Sequence, residues 1–308
     1  MGLLNALTTR GYRFITPTPL THARWLSNRR DRKARSVREV LGWNMPFDPQ
    51  ILPAEIRAYL EEAEVIGRGD DGHHRCQIRV SSIGDRLFVH SAFPTEQADA
   101  VFFGPDTYRF ARFLDDELSR RPPAAGTRLL DIGCGSGAGG LVTAAHVERP
   151  AVVMNDINPL ALRYTAVNAA AAGLDRAVEL DLGNALAARE QPDPMELIVC
   201  NPPYLVDDAA RVYRHGGDRL GRGLALEIAE HSLHRLTPGG RLLLYTGVAI
   251  IDGRDPFIED LEPTIKAAGC TWRYYEIDPD VFGDELERPI YTEIDRIAAV
   301  GLVVDAPG

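Results

Sequence analysis

Apolar and polar positions change their period along the chain. Across residues 22–41, Trp25, Leu26, Val37, Val40 and Leu41 supply the apolar positions of a helix, and the stretch reads as one. Pro53 sits where a helix commonly starts, and residues 54–65 follow with Ile56, Tyr59, Leu60 and Ala63 on one face. Residues 67–72 are rich in turn formers. The period then drops to two. Cys76, Ile78 and Val80, and then Leu87 and Val89, alternate with polar residues on either side of Ser82-Ile83-Gly84-Asp85, which predicts a β-hairpin. Helices followed by a hairpin suggest a small α+β unit over residues 1–95. It is winged-helix-like in outline, and suited either to recognise a substrate or to cover an active site.

Residues 94–105 form the junction to a second unit, 96–308. Residues 106–118 are an amphipathic helix that ends at Arg120-Arg121-Pro122-Pro123. From Gly126 strands and helices alternate. Strands are predicted at 128–131, 151–154, 177–180, 196–200 and 241–245, with two more inside 272–277 and 291–304. Helices are predicted at 139–147, 159–172, 223–236 and 256–268; Gly173 ends the second and Pro238-Gly239-Gly240 the third. This alternation implies an α/β fold, a parallel sheet with helices on both faces.

Composition changes the picture little. With 308 residues, 45% apolar and 25% charged, the chain is an ordinary globular sequence long enough for two units. No apolar run approaches the roughly 18 residues a membrane span needs. Residues 1–20 lack the pattern of a secretory signal, so a cytoplasmic protein with no membrane contact is expected. Cys76, Cys134, Cys200 and Cys270 have no paired spacing for zinc or a disulfide framework, so reduced thiols and no metal are expected. The net charge of −10 is uneven. Residues 1–40 hold nine Lys and Arg against Asp31 and Glu39, which leaves the remainder near −17. The basic run 29–35 fits either a phosphate contact or a solvated helix face, and the acidic remainder disfavours non-specific nucleic-acid binding.

The candidate chemistry lies at strand ends. The apolar run Leu197-Ile198-Val199-Cys200 leads into Asn201-Pro202-Pro203-Tyr204. Neither proline has an N–H for a sheet ladder, so the chain leaves the sheet there. An amide and a phenol are thereby presented at a strand's carboxyl end, where open α/β sheets bind ligands. Asn201 and Tyr204 are therefore candidates for contacts to a bound ligand. The plain alternative for these four residues is a turn.

About 70 residues earlier, Asp131-Ile132-Gly133-Cys134-Gly135-Ser136-Gly137 joins a strand to a helix. The glycines allow a tight turn and close approach of backbone to a ligand, and the helix start adds free N–H groups. By spacing alone Gly135-x-Gly137-x-x-Gly140 also fits a dinucleotide, so the loop leaves NAD open. Asp131, placed before the glycines, would repel a pyrophosphate and attract the ammonium of S-adenosylmethionine. Asp156 ends the next strand, where a carboxylate can accept from both ribose hydroxyls; otherwise it is a helix N-terminal acid before Pro159. Asn184, after the third strand, can meet an adenine amino group or be an ordinary loop residue.

Together with Asp156-Ile157-Asn158-Pro159, Asn168-Ala169 and Asn201-Pro202-Pro203-Tyr204, the glycine loop resembles that of class I S-adenosylmethionine-dependent methyltransferases. Within them the chain is most similar to the amino-methylating group of HemK-type release-factor glutamine N5-methyltransferases and adenine N6-methyltransferases. The likeness covers about residues 100–304. It implies a Rossmann-like seven-stranded methyltransferase sheet and S-adenosylmethionine as cofactor. It also implies transfer of a methyl group to the planar amide or amino nitrogen of a protein glutamine or a nucleobase. Asn201, Pro202 and Tyr204 would then be catalytic. The Asn201 oxygen and the Pro202 carbonyl would each accept one N–H of the planar nitrogen, holding it and favouring its move toward a tetrahedral shape. Tyr204 would stack on the planar group, and no strong base would be needed, because an alkylated amide nitrogen is acidic. Asp131, Gly133, Gly135, Gly137, Asp156, Ile157, Asn184, Asn201 and Thr107 would hold the cofactor. Thr107 belongs to Phe103-Gly104-Pro105-Asp106-Thr107, which is similar to the group's Pro-Arg-Pro-x-Thr segment at the mouth of the cofactor site, with Phe-Gly for Pro-Arg. Asn184 stands where the group usually has Asp. His215-Gly216-Gly217-Asp218-x-x-Gly221 resembles the group's glycine stretch after the catalytic motif.

Three other readings remain at this level. The acceptor is a small metabolite instead of a macromolecule; the fold serves as a non-catalytic cofactor-binding subunit; or the sheet belongs to a nicotinamide dehydrogenase, although no Tyr-x-x-x-Lys signature is present. His215 is either a base beside the site or polar surface. Asp278, Asp280, Asp284, Glu285 and Glu287 are either a solvated connection or a lid for a cationic substrate.

Overall fold

The computed structural model describes residues 1–29, 33–69, 72–187, 193–207, 211 and 213–308. Arg30, Asp31 and Arg32 of the basic run, and Asp70 and Asp71 of the predicted turn, lie outside the described residues. Where a single helix was expected over 22–41 there are two, and a further helix precedes them. The order is α1 (Gly2–Thr9), α2 (Pro19–Ser27), α3 (Val37–Leu41) and α4 (Ala54–Glu62). The break has a local cause. Ser36 caps α3, its Oγ accepting the Glu39 N–H at 3.2 Å, and Ser-x-x-Glu is a helix-start signal inside an apolar periodicity that spans both helices. β1 (Ile66–Arg68) pairs with β2 (His74–Cys76), and β3 (Ile78–Ile83) with β4 (Arg86–Ser91). The second pair is the expected hairpin. Ser82 and Ile83, read as turn, instead pair with Leu87 and Arg86, which leaves only Gly84-Asp85 to reverse the chain. Leu7, Phe14, Leu41, Phe47, Ile56, Leu60 and Val80 bury the core of these N-terminal elements.

α5 (Pro105–Arg120) leads into the large sheet. Its parts are β5 (Arg128–Ile132), α6 (Ala138–Ala144), β6 (Ala151–Asp156), α7 (Pro159–Ala171), β7 (Val178–Leu182), β8 (Met195–Cys200), α8 (Gly223–Leu233), β9 (Leu236–Ile250), α9 (Pro256–Ala267), β10 (Thr271–Asp278) and β11 (Arg296–Asp305). Seven strands lie in the order β10-β11-β9-β8-β5-β6-β7. Side chains alternate between two cores as the pleat requires. Leu129, Val199 and Leu243 face α5, α6 and α7, whereas Leu130, Ile198 and Leu242 face α8 and α9.

The sheet is mixed, not parallel throughout. β11 runs antiparallel to both β9 and β10. The connection from β10 to β11 holds only two 3-10 turns and no crossover helix of the kind a parallel return needs, so the strand comes back reversed. β9 is also longer than its predicted core of 241–245, because β11 pairs with it from Arg241 to Ile250. Among the described residues no helix is long and apolar enough to cross a membrane.

The N-terminal elements are pinned to the sheet by buried polar contacts. Asn168 on α7 takes the Val89 N–H of β4 on its Oδ1 at 2.8 Å. Its Nδ2 donates to the Val89 carbonyl at 3.0 Å and to the Ser136 carbonyl of the glycine loop at 2.8 Å. Nearby, the Thr16 N–H donates to the Tyr108 hydroxyl at 2.9 Å, and His90 stacks on Phe103 with centroids 4.7 Å apart.

Candidate active site

β5, β6 and β8 end on the same edge of the sheet. Connections leaving β5 and β8 diverge there, which opens a crevice. A cavity of ≈ 380 Å³ occupies it, and Asp131, Gly133, Gly135, Asp156, Ile157, Asn184, Asn201, Pro202, Tyr204 and Thr107 all line it. Gly137 does not. It turns the chain into α6 with φ +79°, and a Cβ there would press on Thr165 at 3.1 Å.

One half of the cavity is an acidic cradle. Gly133 and Gly135 take φ of +67° and +56°, which bends the backbone around the end of β5. Asp131 is buried at that end, and its Oδ2 accepts the Gly140 N–H at 2.6 Å. Asp156 braces the loop from β6, accepting from Gly135 N–H and Asn158 N–H at 2.9 Å each. Burial pushes the Asp131 carboxyl up to about 7, with the charge of Asp156 adding to the rise and the Gly140 N–H opposing it. Asp156 is also raised, chiefly by burial. Among the described residues no cation partners either carboxylate, so the cradle suits an ammonium and a ribose diol and opposes a pyrophosphate. That donor set fits S-adenosylmethionine: Asp131 would hold the ammonium, Asp156 the ribose, and exposed Ile157 the flank of the base. Asn184 lines the cavity with its Oδ1 already taken by the Leu186 N–H at 2.9 Å. Thr107 shapes the start of α5, its Oγ accepting the Gly104 N–H at 3.2 Å.

The other half is built on Asn201-Pro202-Pro203-Tyr204. No hydrogen bond from a described residue engages the Asn201 amide, which lies on the cavity wall beside Pro202. Tyr204 is placed differently from expectation. Its ring is only 7% exposed and lies edge-on to Phe282, and its hydroxyl donates to the Asp106 carboxylate. The glycine stretch packs directly beneath. A Cβ on Gly216 would lie 2.5 Å from the Tyr204 Cα and 2.7 Å from the Pro203 oxygen, and one on Gly221 would lie 2.2 Å from the Tyr204 oxygen. His215 is absent from the cavity wall; its Nδ1 accepts the Asp207 N–H at 3.3 Å.

Several lining residues carry no sequence signal of their own. Phe102 and Tyr213 face each other across the mouth with rings 6.0 Å apart and 8° from parallel, and Tyr213 donates to the Thr95 carbonyl at 2.6 Å. Phe282 comes from the loop after β10. In that loop the acids divide. Asp278 pairs with Arg109 at 2.8 Å, and buried Glu285 pairs with Arg214 and with Arg288, while Asp280, Asp284 and Glu287 face solvent. Glu285 therefore clamps the wall of the site by internal ion pairs.

Residues 100–248 match the family model described as methyltransferase small domain. A release factor glutamine methyltransferase of Cereibacter sphaeroides is 32% identical over 242 residues, which span 71% of this chain and 80% of that protein. One from Deinococcus radiodurans is 33% identical over 201 residues, 62% of this chain and 66% of that protein. Among solved structures, an S-adenosylmethionine-dependent methyltransferase from Agrobacterium tumefaciens superposes with a TM-score of 0.51 at 16% identity, over 78% of this chain and 76% of that one. A tRNA m1G37 methyltransferase of M. jannaschii gives the same TM-score at 12% identity, over 75% and 57%. At these identities the structural likeness is one of fold.

Proposed function

The chain belongs to the class I S-adenosylmethionine-dependent methyltransferase family that includes the release factor glutamine methyltransferases, and on that premise we propose that its methyl acceptor is the side-chain amide of a glutamine on a release factor. The observation that carries the reading is the uncommitted Asn201 amide beside the Pro202 carbonyl, on the wall of a cavity whose far end is the acidic cradle of Asp131 and Asp156. S-adenosylmethionine supplies an electrophilic methyl group when bound. The protein's own part is to hold the acceptor. Asn201 Oδ1 and the Pro202 carbonyl each take one N–H of the carboxamide, which fixes the nitrogen lone pair toward the cofactor. The nitrogen sheds its extra proton readily after alkylation, so no strong base is needed.

The N-terminal elements, residues 1–95 in this reading, recognise the acceptor protein; the Tyr213–Thr95 contact at the cavity mouth supports that part. A cytoplasmic location accords with four free cysteines. The test is transfer of labelled methyl to purified release factor. Asn201→Ala is expected to lower the rate about 10²- to 10³-fold while calorimetry finds S-adenosylmethionine binding intact. Label appearing only in nucleic acid or in small molecules would refute the acceptor assignment.

A further inference from the structure

Asp106 is the second residue of α5, 6% exposed, and its carboxylate lies on the wall of the site. Three donors from three segments converge on it. Oδ2 accepts the Tyr204 hydroxyl, while Oδ1 accepts the Tyr245 hydroxyl at 3.0 Å and Arg109 Nη1 at 3.1 Å. Arg109 is in turn held by Asp278 at the end of β10. Burying a carboxylate is expensive, and burial raises this one's proton affinity against the pull of its donors. A well-packed apolar residue would serve the core at less cost.

The cost is explained by what the carboxylate holds. Tyr204 is tightly packed: a Cβ on Gly247 would come within 2.2 Å of its Cε2, and Phe282 lies edge-on to the ring. Its main chain is locked by Gly216 and Gly221. Its remaining freedom ends at the hydroxyl. Asn201 and Pro202 thus hang between β8 and an anchor formed by Tyr204 and Asp106. We propose that Asp106 is a positioning residue that sets the acceptor-binding Asn201 and Pro202 through the Tyr204 hydroxyl, making Tyr204 a strut instead of a stacking surface.

The inference rests on the methyl-transfer reading above, and its test separates the two. Full-length Asp106→Asn, Tyr204→Phe and the double variant are compared in kcat and KM on release factor and in cofactor Kd. Fluorotyrosine spectra are recorded in parallel, with the Tyr204 resonance identified by its loss in Tyr204→Phe. Each single variant should lower kcat about 30- to 100-fold, as a misplacement near 1 Å does, with both KM values and the Kd within about threefold. The double variant should be no slower than the slower single one, because the two residues act as one unit. The Tyr204 resonance should move in Asp106→Asn. Wild-type kcat in either single variant, multiplied losses in the double, or an unmoved resonance would overturn the proposal. Should Asp106→Asn not fold, Tyr204→Phe decides by its kcat alone. Should the wild type transfer no methyl group to release factor, the acceptor reading fails, and the resonance then decides for or against the strut.

Discussion

Asp131 shows how a single residue ties pH to ligand binding. A carboxyl pushed up to about 7 by burial is protonated below that pH in the ligand-free protein and ionised above it. An ammonium binds the ionised form. Affinity for S-adenosylmethionine should therefore rise as pH climbs through about 7 and fall below it, as calorimetry between about pH 5.5 and 8.5 would record. Asp131→Asn should bind weakly and flatten that dependence. The sign for folding is opposite. The folded carboxyl keeps its proton where an unfolded one, near 3.8, has lost it, so this residue lowers the stability of the free protein as pH rises from about 4 to 7. Asp131 and Asn201 were legible as chemistry because each stands beside a backbone signal, glycines in one case and prolines in the other. The part played by Asp106 was not legible. A carboxylate at a helix start is ordinary in sequence, and only the fold brings Tyr204 and Tyr245 to it.

Elements explain why the motifs come in sets. The stretch from Gly216 to Gly221 lies far from the cofactor cradle along the chain, yet its glycines are required by contact with Pro203 and Tyr204. Gly221 also takes φ +87°, strained for any other residue. Gly216→Ala should therefore displace Asn201-Pro202 and lower kcat about 100-fold, with cofactor affinity nearly unchanged, since the cradle is built on β5 and β6. Equal loss of cofactor binding would show that the two halves are not separable. Periodicity located almost every strand and helix of the sheet unit, because each buries one face. It erred where ends depend on partners. The length of β9 follows from β11, and the direction of β11 follows from a connection that holds no crossover helix. The helix over 22–41 was split by a capping serine that periodicity ignores.

At the scale of the whole molecule, the N-terminal elements and the cofactor loop share one side chain. Asn168 satisfies the edge of β4 and the Ser136 carbonyl at once, and it is 1% exposed. Asn168→Ala would leave three backbone groups without their partner and should lower stability by about 3 kcal/mol in denaturant melts. Hydrogen exchange should quicken at Val89 and around Ser136 together. Exchange confined to one side would mean that the seam is not coupled through this residue. The acidic loop after β10 belongs to this scale as well. Its charges suggested solvent or a cationic substrate, but Glu285 is spent on Arg214, 71 positions away, and on the neighbouring Arg288.

Sequence alone determined the chemistry that is local: the alternation that builds an α/β sheet, a glycine turn after one strand, an Asn-Pro-Pro-Tyr exit after another, and hence a methyltransferase of this kind. Such signals survive in one dimension because they reflect backbone geometry and the period of a single buried face. Tertiary structure decided what depends on distant groups meeting: the reversed strand, the glycines beneath Tyr204, the carboxylate that holds its hydroxyl, and the asparagine at the seam. Each is a contact between residues from about a dozen to nearly a hundred positions apart, and no spacing along the chain encodes which side chains a fold will bury against one another.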